Sequence, residues 1–442
     1  MSTNFQSSVL RELAWRDRID ATTHTELDEL LGKESVVLYA GFDPTADSLH
    51  IGNLVVMMGL AFYQRHGHKP LMIAGGATGR IGDPSGKATE RELMSVEKIE
   101  HNIACHSAQL RTILDRAVHM HPENLGDGAG EAWDTPVLNN YDWLRDWTFL
   151  DFLRDIGKHF RVNTMIAKDS VKNRLTEREQ GLSFTEFSYM LIQGFDFYHL
   201  REHHSCQLQI GGSDQWGNIT AGTELIRRKM GVPAFGMTMP LLLDSAGNKF
   251  GKTAAGAIWL DPARTSPYAF YQYWINRDDA DVEKLFKTFT FLSQDEITAL
   301  CAQIEDGSNR GQVQQRLAYE ITWLVHGKDE ADMAVRASRM LFGERIEGLD
   351  DKALASLFAE VPSAEVSRDA LAAGINILDL LVDTGLQPSK GAARRLVQQG
   401  GGYVNNERVD ADTTVTHDHL ASESMLVLRA GKKKYLVVKT VG

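Results

Sequence analysis

"AGFDPTADSLHIGNL", residues 40–54, changes character twice in a short space. It leaves the apolar run VVLYAGF, passes through a Pro-containing turn, and enters an apolar helix pattern at Leu49. Strand, polar loop and helix in that order form the repeating unit of an α/β domain. His50 and Gly52 fall in the first turn of the predicted helix. A helix start has unpaired N–H groups and a partial positive charge, so it suits an anion. From these residues alone His50 is open between two roles: a phosphate contact or a solvated surface histidine.

The same unit recurs downstream. KPLMIAGG reads as a strand ending in glycines, and TERELMSVEKIEHNIACHSAQLRTIL as a long helix with Thr89 as its cap before Glu92. LGDGAGEAW reads as a flexible loop, TPVLNNYDWL as a strand, and TFLDFLRDIGKHF and FTEFSYMLIQGFDFYHL as helices. CQLQIGGSDQWGN is strand into loop, and ITAGTELIRRKM is helix. Glycine loops follow the strands' carboxyl ends, which predicts a doubly wound, Rossmann-like parallel sheet with a ligand crevice there. From about Ser266 helical periodicity takes over, AEVPSAEVSRDALAAGIN reads as a linker, and the tail mixes helices with short strands. The expected organisation is an α/β domain over 1–260, a helical domain over 261–360, a linker over 361–375 and a small α+β domain over 376–442.

The chain has 442 residues and no apolar run of membrane-spanning length. Its N-terminus lacks a signal-peptide core, so a soluble, cytoplasmic protein is expected. Cys105, Cys206 and Cys301 are far apart with no C-x-x-C pair, which argues against a zinc knuckle or disulfide framework and predicts reduced, buried thiols. The net charge of −12 is uneven: nine Lys/Arg face seven Asp/Glu from Asn376 onward, against 38 and 52 before it. A mildly basic tail on an acidic body is compatible with local RNA binding.

A second segment, NKFGKT at 248–253, places two lysines around a Gly turn. Such a pair can fold over a polyphosphate and offset charge on a departing pyrophosphate, though most lysine pairs of this kind are simply solvated. No G-x-x-x-x-G-K-[ST] occurs, so a nucleotide would be held by some other device.

HIGN at 50–53 followed by KFGKT at 249–253 resembles the paired signature of class I aminoacyl-tRNA synthetases. YAGFDPTADSLHIGN, GGATGRIGDPSGK, NNYDW, FTEFSYMLIQGFDF and GGSDQWGN narrow the resemblance to the bacterial-type tyrosyl-tRNA synthetase family. The likeness runs from about Val36 to Tyr271, continues through the helical region, and ends in a tail similar to an RNA-binding domain of a small-subunit ribosomal protein.

The resemblance implies activation of L-tyrosine by ATP, with Mg2+ accompanying the nucleotide, and transfer of the tyrosyl group to tRNA(Tyr). A homodimer with dimerisation helices inserted in the catalytic domain is also implied, and no protein metal site. Thr45 and His50 would meet the transferring phosphate, and Lys87, Arg91, Lys249 and Lys252 the pyrophosphate; without the family, Lys87 and Arg91 read as an exposed helix face. Tyr39 and Asp196 would hydrogen-bond the substrate hydroxyl, with Asp83, Tyr189 and Gln193 around its ammonium group. Gln209 and Gln215 would lie near the amino acid, and Asn140 would act on it indirectly. Gly41, Asp43, Gly52, Asn53, Gly212 and Asp214 would line the ATP; Asp43 could equally cap the Pro-Thr turn.

Two departures stand out. Asn53 replaces the signature's second His, which predicts altered detail around the ribose, and Phe250, Gly251 and Thr253 replace the Met-Ser-Ser form of the second motif. In the tail, Lys390, Arg394, Arg395 and the cluster Lys432, Lys433 and Lys434 are the expected RNA contacts, the alternative being a solvated cationic surface. Three rivals compete: another nucleotidyltransferase, a tryptophan-activating relative, and a synthetase-like protein that only binds RNA. The tail counts against the first, Tyr39 with Asp196 against the second, and the intact set His50, Lys249, Lys252 and Asp214 against the third.

Overall fold

The computed structural model describes residues 5–83, 94–126, 133–168, 171–172, 175, 182–248, 250–253, 256–358, 361–431 and 434–442. The chain divides into two compact units, Met1–Thr265 with Tyr273–Lys328 and Ser266–Gln272 with Asp329–Gly442.

The first unit is built on β1 (Ala21–Thr22), β2 (Val37–Phe42), β3 (Lys69–Ala74), β4 (Val137–Asn139), β5 (Leu208–Gly212) and β6 (Phe235–Met239), in the order β1-β6-β5-β2-β3-β4. β2 to β6 run parallel and β1 is an antiparallel edge. The chain winds outward from β2 through β3 to β4, then returns to β5 on the other side and continues to β6. The reversal lies between β2 and β5, so a crevice opens at their carboxyl ends, as the expected doubly wound sheet requires. Leu38, Ala40, Leu208 and Ile210 on these strands are buried, and in β2 the apolar run is continuous.

Helices Ile51–Arg65 and Phe184–His204 line the crevice, and Val96–His119 packs against the first of them. Ile51–Arg65 is buried at Leu54, Met57, Met58 and Ala61 among others. Val96–His119 starts at Ser95, whose Oγ accepts from Lys98 N at 3.3 Å; Thr89, the expected cap, lies outside the described residues. Phe184–His204 opens on a capping box in which Ser183 Oγ accepts from Glu186 N at 3.2 Å and the Glu186 carboxylate accepts from Ser183 N at 3.4 Å. A small hairpin, β7 (Lys252–Thr253) and β8 (Gly256–Ala257), follows the sheet.

The helical stretch expected over 261–360 is divided between the units. Helices Asp279–Phe289, Gln294–Glu305 and Arg310–His326 belong to the first. In the second lie β9 (Ser363–Ser367), β10 (Ile375–Asn376), β11 (Gly402–Val404), β12 (Glu407–Arg408), β13 (Thr414–Val415), β14 (Met425–Ala430) and β15 (Lys434–Val441). β10 pairs with β13, and the others form a sheet in the order β12-β11-β14-β15-β9. Leu426, Leu428 and Val438 face a core with Ile377, Leu381 and Val397, whereas Val427 and Val437 face a second core with Met340, Leu349, Leu354 and Phe358. The sheet is therefore covered on both faces, and helices Lys328–Leu341 and Asp351–Leu357 supply one cover.

The linker reading of 361–375 is corrected. Residues 363–367 form β9, which pairs in parallel with β15, and Ala364 and Val366 pack on the core while their neighbours face out. An alternating, half-exposed edge strand has too little apolar content to stand out in sequence. The thiol expectation also changes: Cys206 is buried, but Cys105 and Cys301 are only partly so, and all three are free. Among the described residues no helix is long and apolar enough to cross a membrane.

Candidate active site

The crevice has a volume of about 440 Å³. Tyr39, Gly41, Asp43, Thr45, His50, Gly52, Asn53, Asp83, Asn140, Tyr189, Gln193, Asp196, Gln209, Gly212, Asp214 and Gln215 all line it. Lys87, Arg91 and Lys249 lie outside the described residues, and Lys252 is described only as backbone of β7.

At one end, Asp196 is buried, its Oδ2 accepting from Asn140 Nδ2 at 2.9 Å and its Oδ1 from Trp143 Nε1 at 2.8 Å. Burial pushes its carboxyl up to about 7, against the pull of those two donors. Beside it the Tyr39 ring is 1% exposed, and its hydroxyl is buried with no hydrogen-bond partner among the described residues. Burial, and then the Asp196 charge, hold that phenol neutral. Gln209 Oε1 is likewise buried and unpartnered. An unpaired buried polar atom is costly, so these two at a crevice wall mark places for a ligand's polar groups.

Asn140, Thr78, Asp43 and Tyr189 form one connected chain. Asn140 Nδ2 donates to Thr78 Oγ1 at 3.2 Å, Thr78 Oγ1 to Asp43 Oδ1 at 2.7 Å, and Tyr189 Oη to Asp43 Oδ2 at 3.1 Å. Asp43 is thus cross-linked to β3's exit and to helix Phe184–His204, which is more than a turn cap would need. Burial, followed by Asp43 and Asp83, raises the Tyr189 phenol well above its ordinary value. Gln215 Nε2 donates to Asp83 Oδ2 at 2.6 Å. The carboxylates Asp43 and Asp83 on this wall suit a cationic amine. Thr78 and Trp143 hold Asp43 and Asp196, which the sequence does not announce. Both lie within quoted segments, but nothing in their spacing tells that they bond Asp43 and Asp196. Trp143 is itself held by a stack on His199, with ring centroids 4.5 Å apart and planes 13° from parallel.

The opening stretch lies along the crevice. His50 is the N-cap of helix Ile51–Arg65, and Asn53 Oδ1 accepts from its backbone N–H at 3.0 Å. Asn53 thus does the work of a capping-box residue, a role the ribose expectation does not include. The imidazole lies over Gly52, where a Cβ would fall 2.7 Å from its Cε1. Only glycine leaves that room.

The second motif meets the first directly. Gly251 has φ +84°, and a Cβ there would lie 3.0 Å from Ile51 Cβ. Ile258 N donates to Gly251 O at 3.1 Å, and Ile51 N to Ile258 O at 3.2 Å. Phe250 anchors the turn by stacking on Trp274, with centroids 5.7 Å apart. The lysine turn is therefore seated on the helix start that carries His50, which is where two phosphate-binding segments would have to meet.

In the second unit Arg394 and Arg395 are exposed on helix Lys390–Gln398. Lys390 is ion-paired with Asp379, and Lys434 Nζ donates to Leu386 O at 3.0 Å. Lys432 and Lys433 lie outside the described residues.

Comparison with known proteins agrees with this geometry. Residues 32–343 match the family model for class I tRNA synthetases (W and Y), and residues 353–438 match the tyrosine–tRNA ligase SYY-like C-terminal domain. The chain is 48% identical to a tyrosine–tRNA ligase of Opitutus terrae over 437 residues, covering 98% of this chain and 100% of that one. It is 50% identical to one from Porphyromonas gingivalis strain W83, covering 97% and 99%. Among solved structures, a C-terminally truncated mitochondrial tyrosyl-tRNA synthetase of Aspergillus nidulans is similar at 34% identity and a TM-score of 0.67, covering 76% of this chain and 94% of that one. With a doubly wound sheet, both signature motifs at one crevice and full-length relatives at this identity, the chain belongs to the tyrosine–tRNA ligase family of class I tRNA synthetases.

Proposed function

We propose that the protein activates L-tyrosine with ATP and transfers the tyrosyl group to tRNA(Tyr). The observation that carries the choice of amino acid is the buried, unpartnered Tyr39 hydroxyl beside Asp196. A substrate phenol would pair with both, while phenylalanine would leave them desolvated and unmatched. Tyrosyl-tRNA synthetases are the standard illustration of such discrimination by one hydroxyl, so the principle is general to the family and not peculiar to this chain. Indole has an N–H but no hydroxyl, so it cannot both donate to Asp196 and accept from Tyr39, which disfavours tryptophan.

In this reading the ammonium group sits near Asp83, Tyr189 and Gln193, and the carboxylate approaches the α-phosphate of ATP. Asp214 and Gly212, at the end of β5, and Gly41, Asp43 and Asn53 border the nucleotide. Thr45 and His50 take phosphate charge as it redistributes, and the lysines of the second motif, with Lys87 and Arg91, hold pyrophosphate. No covalent intermediate is required: the chain's part is positioning and charge stabilisation. Magnesium would come with ATP; among the described residues no group of three His, Cys, Asp or Glu is placed to hold a metal.

A homodimer fits the exposed apolar side chains Phe149, Leu150, Val162 and Phe184, which are 65%, 76%, 59% and 67% exposed. Arg394 and Arg395, exposed on helix Lys390–Gln398, are offered to RNA phosphates. A cytoplasmic location accompanies the reading. The test is pyrophosphate exchange with each of the twenty amino acids. Exchange with tyrosine is expected; exchange with none refutes the activity, and exchange with tryptophan alone refutes the specificity.

A further inference from the structure

The segment Asp43–His50 carries Thr45 and His50, yet it has no regular secondary structure of its own before the helix begins. A neighbouring helix holds it. Asn102, His106 and Gln109 of helix Val96–His119 are spaced by four and three residues and so share one face. Asn102 and His106 are 1% and 2% exposed, positions where apolar residues are the rule.

Asn102 Nδ2 donates to Pro44 O at 2.9 Å, one peptide from Thr45. Gln109 Oε1 accepts from Leu49 N at 2.9 Å, one peptide from His50, and its Nε2 donates to Ser48 Oγ at 3.3 Å. Between them the His106 ring lies against the backbone of Ala46 and Ser48, and burial lowers its pKa to about 4, so it stays neutral. The opposite side of the segment is fixed by Leu260 N, which donates to Leu49 O at 2.9 Å. Buried polar side chains are tolerated where they satisfy other polar groups. The groups bonded by Asn102 and Gln109 are chiefly those of this segment.

We propose that Asn102 and Gln109 are positioning residues for the activation step: they pin the two ends of the segment so that Thr45 and His50 meet the phosphate at fixed spacing. This rests on the reading that those two residues contact phosphate. Neither Asn102 nor Gln109 lines the crevice, so each acts through the backbone it holds.

The test is tyrosine-dependent pyrophosphate exchange by the full-length protein, with tyrosine affinity measured separately by fluorescence. Asn102→Ala and Gln109→Ala should each lower kcat about 10- to 100-fold, with tyrosine affinity changed less than about twofold. Combined with alanine at the residue it pins, Thr45→Ala for Asn102 and His50→Ala for Gln109, each change should cost less than about threefold more, because the group it positions is gone. If Asn102→Ala does not fold, Asn102→Leu keeps the bulk and removes the donor. Unchanged kcat, full additivity in those matched double variants, or a loss appearing in tyrosine affinity would overturn the positioning role. Wild-type exchange in both Thr45→Ala and His50→Ala would instead overturn the phosphate reading, and the proposal with it.

Discussion

Replacing Tyr39 by phenylalanine removes one oxygen and leaves the ring, with its contact to Phe197 at 5.3 Å between centroids, in place. That oxygen is buried and has no partner among the described residues. Such a group carries a desolvation penalty on the order of 1–3 kcal/mol, so its loss should leave stability unchanged or raise it by about 1 kcal/mol. With tyrosine bound, the same oxygen gains the substrate phenol as partner, and one hydrogen bond is worth about 0.5–1.5 kcal/mol net. Tyr39→Phe should therefore lower kcat/KM for tyrosine about 2- to 12-fold, while leaving phenylalanine, which has no hydroxyl to pair, unaffected or slightly improved. Urea unfolding without tyrosine and exchange kinetics with both amino acids measure the two sides. A destabilisation above about 1 kcal/mol in the first measurement, or an unchanged ratio between the two substrates in the second, would refute the assignment of this hydroxyl to the substrate.

Further outcomes follow from single features. Gly251→Ala places a Cβ 3.0 Å from Ile51 Cβ at φ +84°. With a left-handed penalty of about 1–2 kcal/mol, the lysine turn should shift and kcat for exchange fall more than tyrosine affinity, and an unaffected kcat would contradict the seating of the turn. Burial raises the Asp196 carboxyl from 3.8 to about 7, so the folded protein holds a proton there that the unfolded chain has lost. Stability measured without tyrosine should therefore fall as pH rises through roughly 4 to 7, by up to about 1.4 kcal/mol per pH unit, and this contribution should vanish in Asp196→Asn. Removal of residues 329–442 should spare tyrosine-dependent exchange and abolish tRNA charging. Removal of 376–442 alone should leave an aggregation-prone chain, because it exposes Met340, Leu349 and Phe358 and strands β9. Sedimentation and charging assays separate the two truncations.

Much of the site is legible because its parts have local signatures. The stretch that forms β2 reads as an apolar run and that of β5 as a strand running into a loop, and glycines mark their ends, so a crevice there follows from chain order alone. Tyr189, Gln193 and Asp196 share a helix face by spacing, and all three line the crevice. Asn53 is legible as a departure but not as a cap, since its role depends on the backbone N–H of His50 lying within reach. Thr78 and Trp143 carry no signal, because their partners Asp43 and Asp196 are distant in sequence. The polar stripe on Val96–His119 is visible as a break in an apolar face, but what it bonds is not. β9 passes for a linker because half of a two-sided pattern on an edge strand resembles one.

Periodicity, turn residues and motif order are properties of neighbouring residues, and they suffice for the doubly wound fold, the crevice's position and the reaction class its motifs resemble. Whether a buried polar atom has a partner is a property of three-dimensional packing. Packing alone leaves Tyr39 unpaired while supplying Asp196 with two donors. The same holds for close approach: Gly251 reads as any glycine until Ile51 is found against it. The physical reason is that short-range sterics act along the chain, whereas desolvation and hydrogen-bond satisfaction depend on what distant segments bring to the same place.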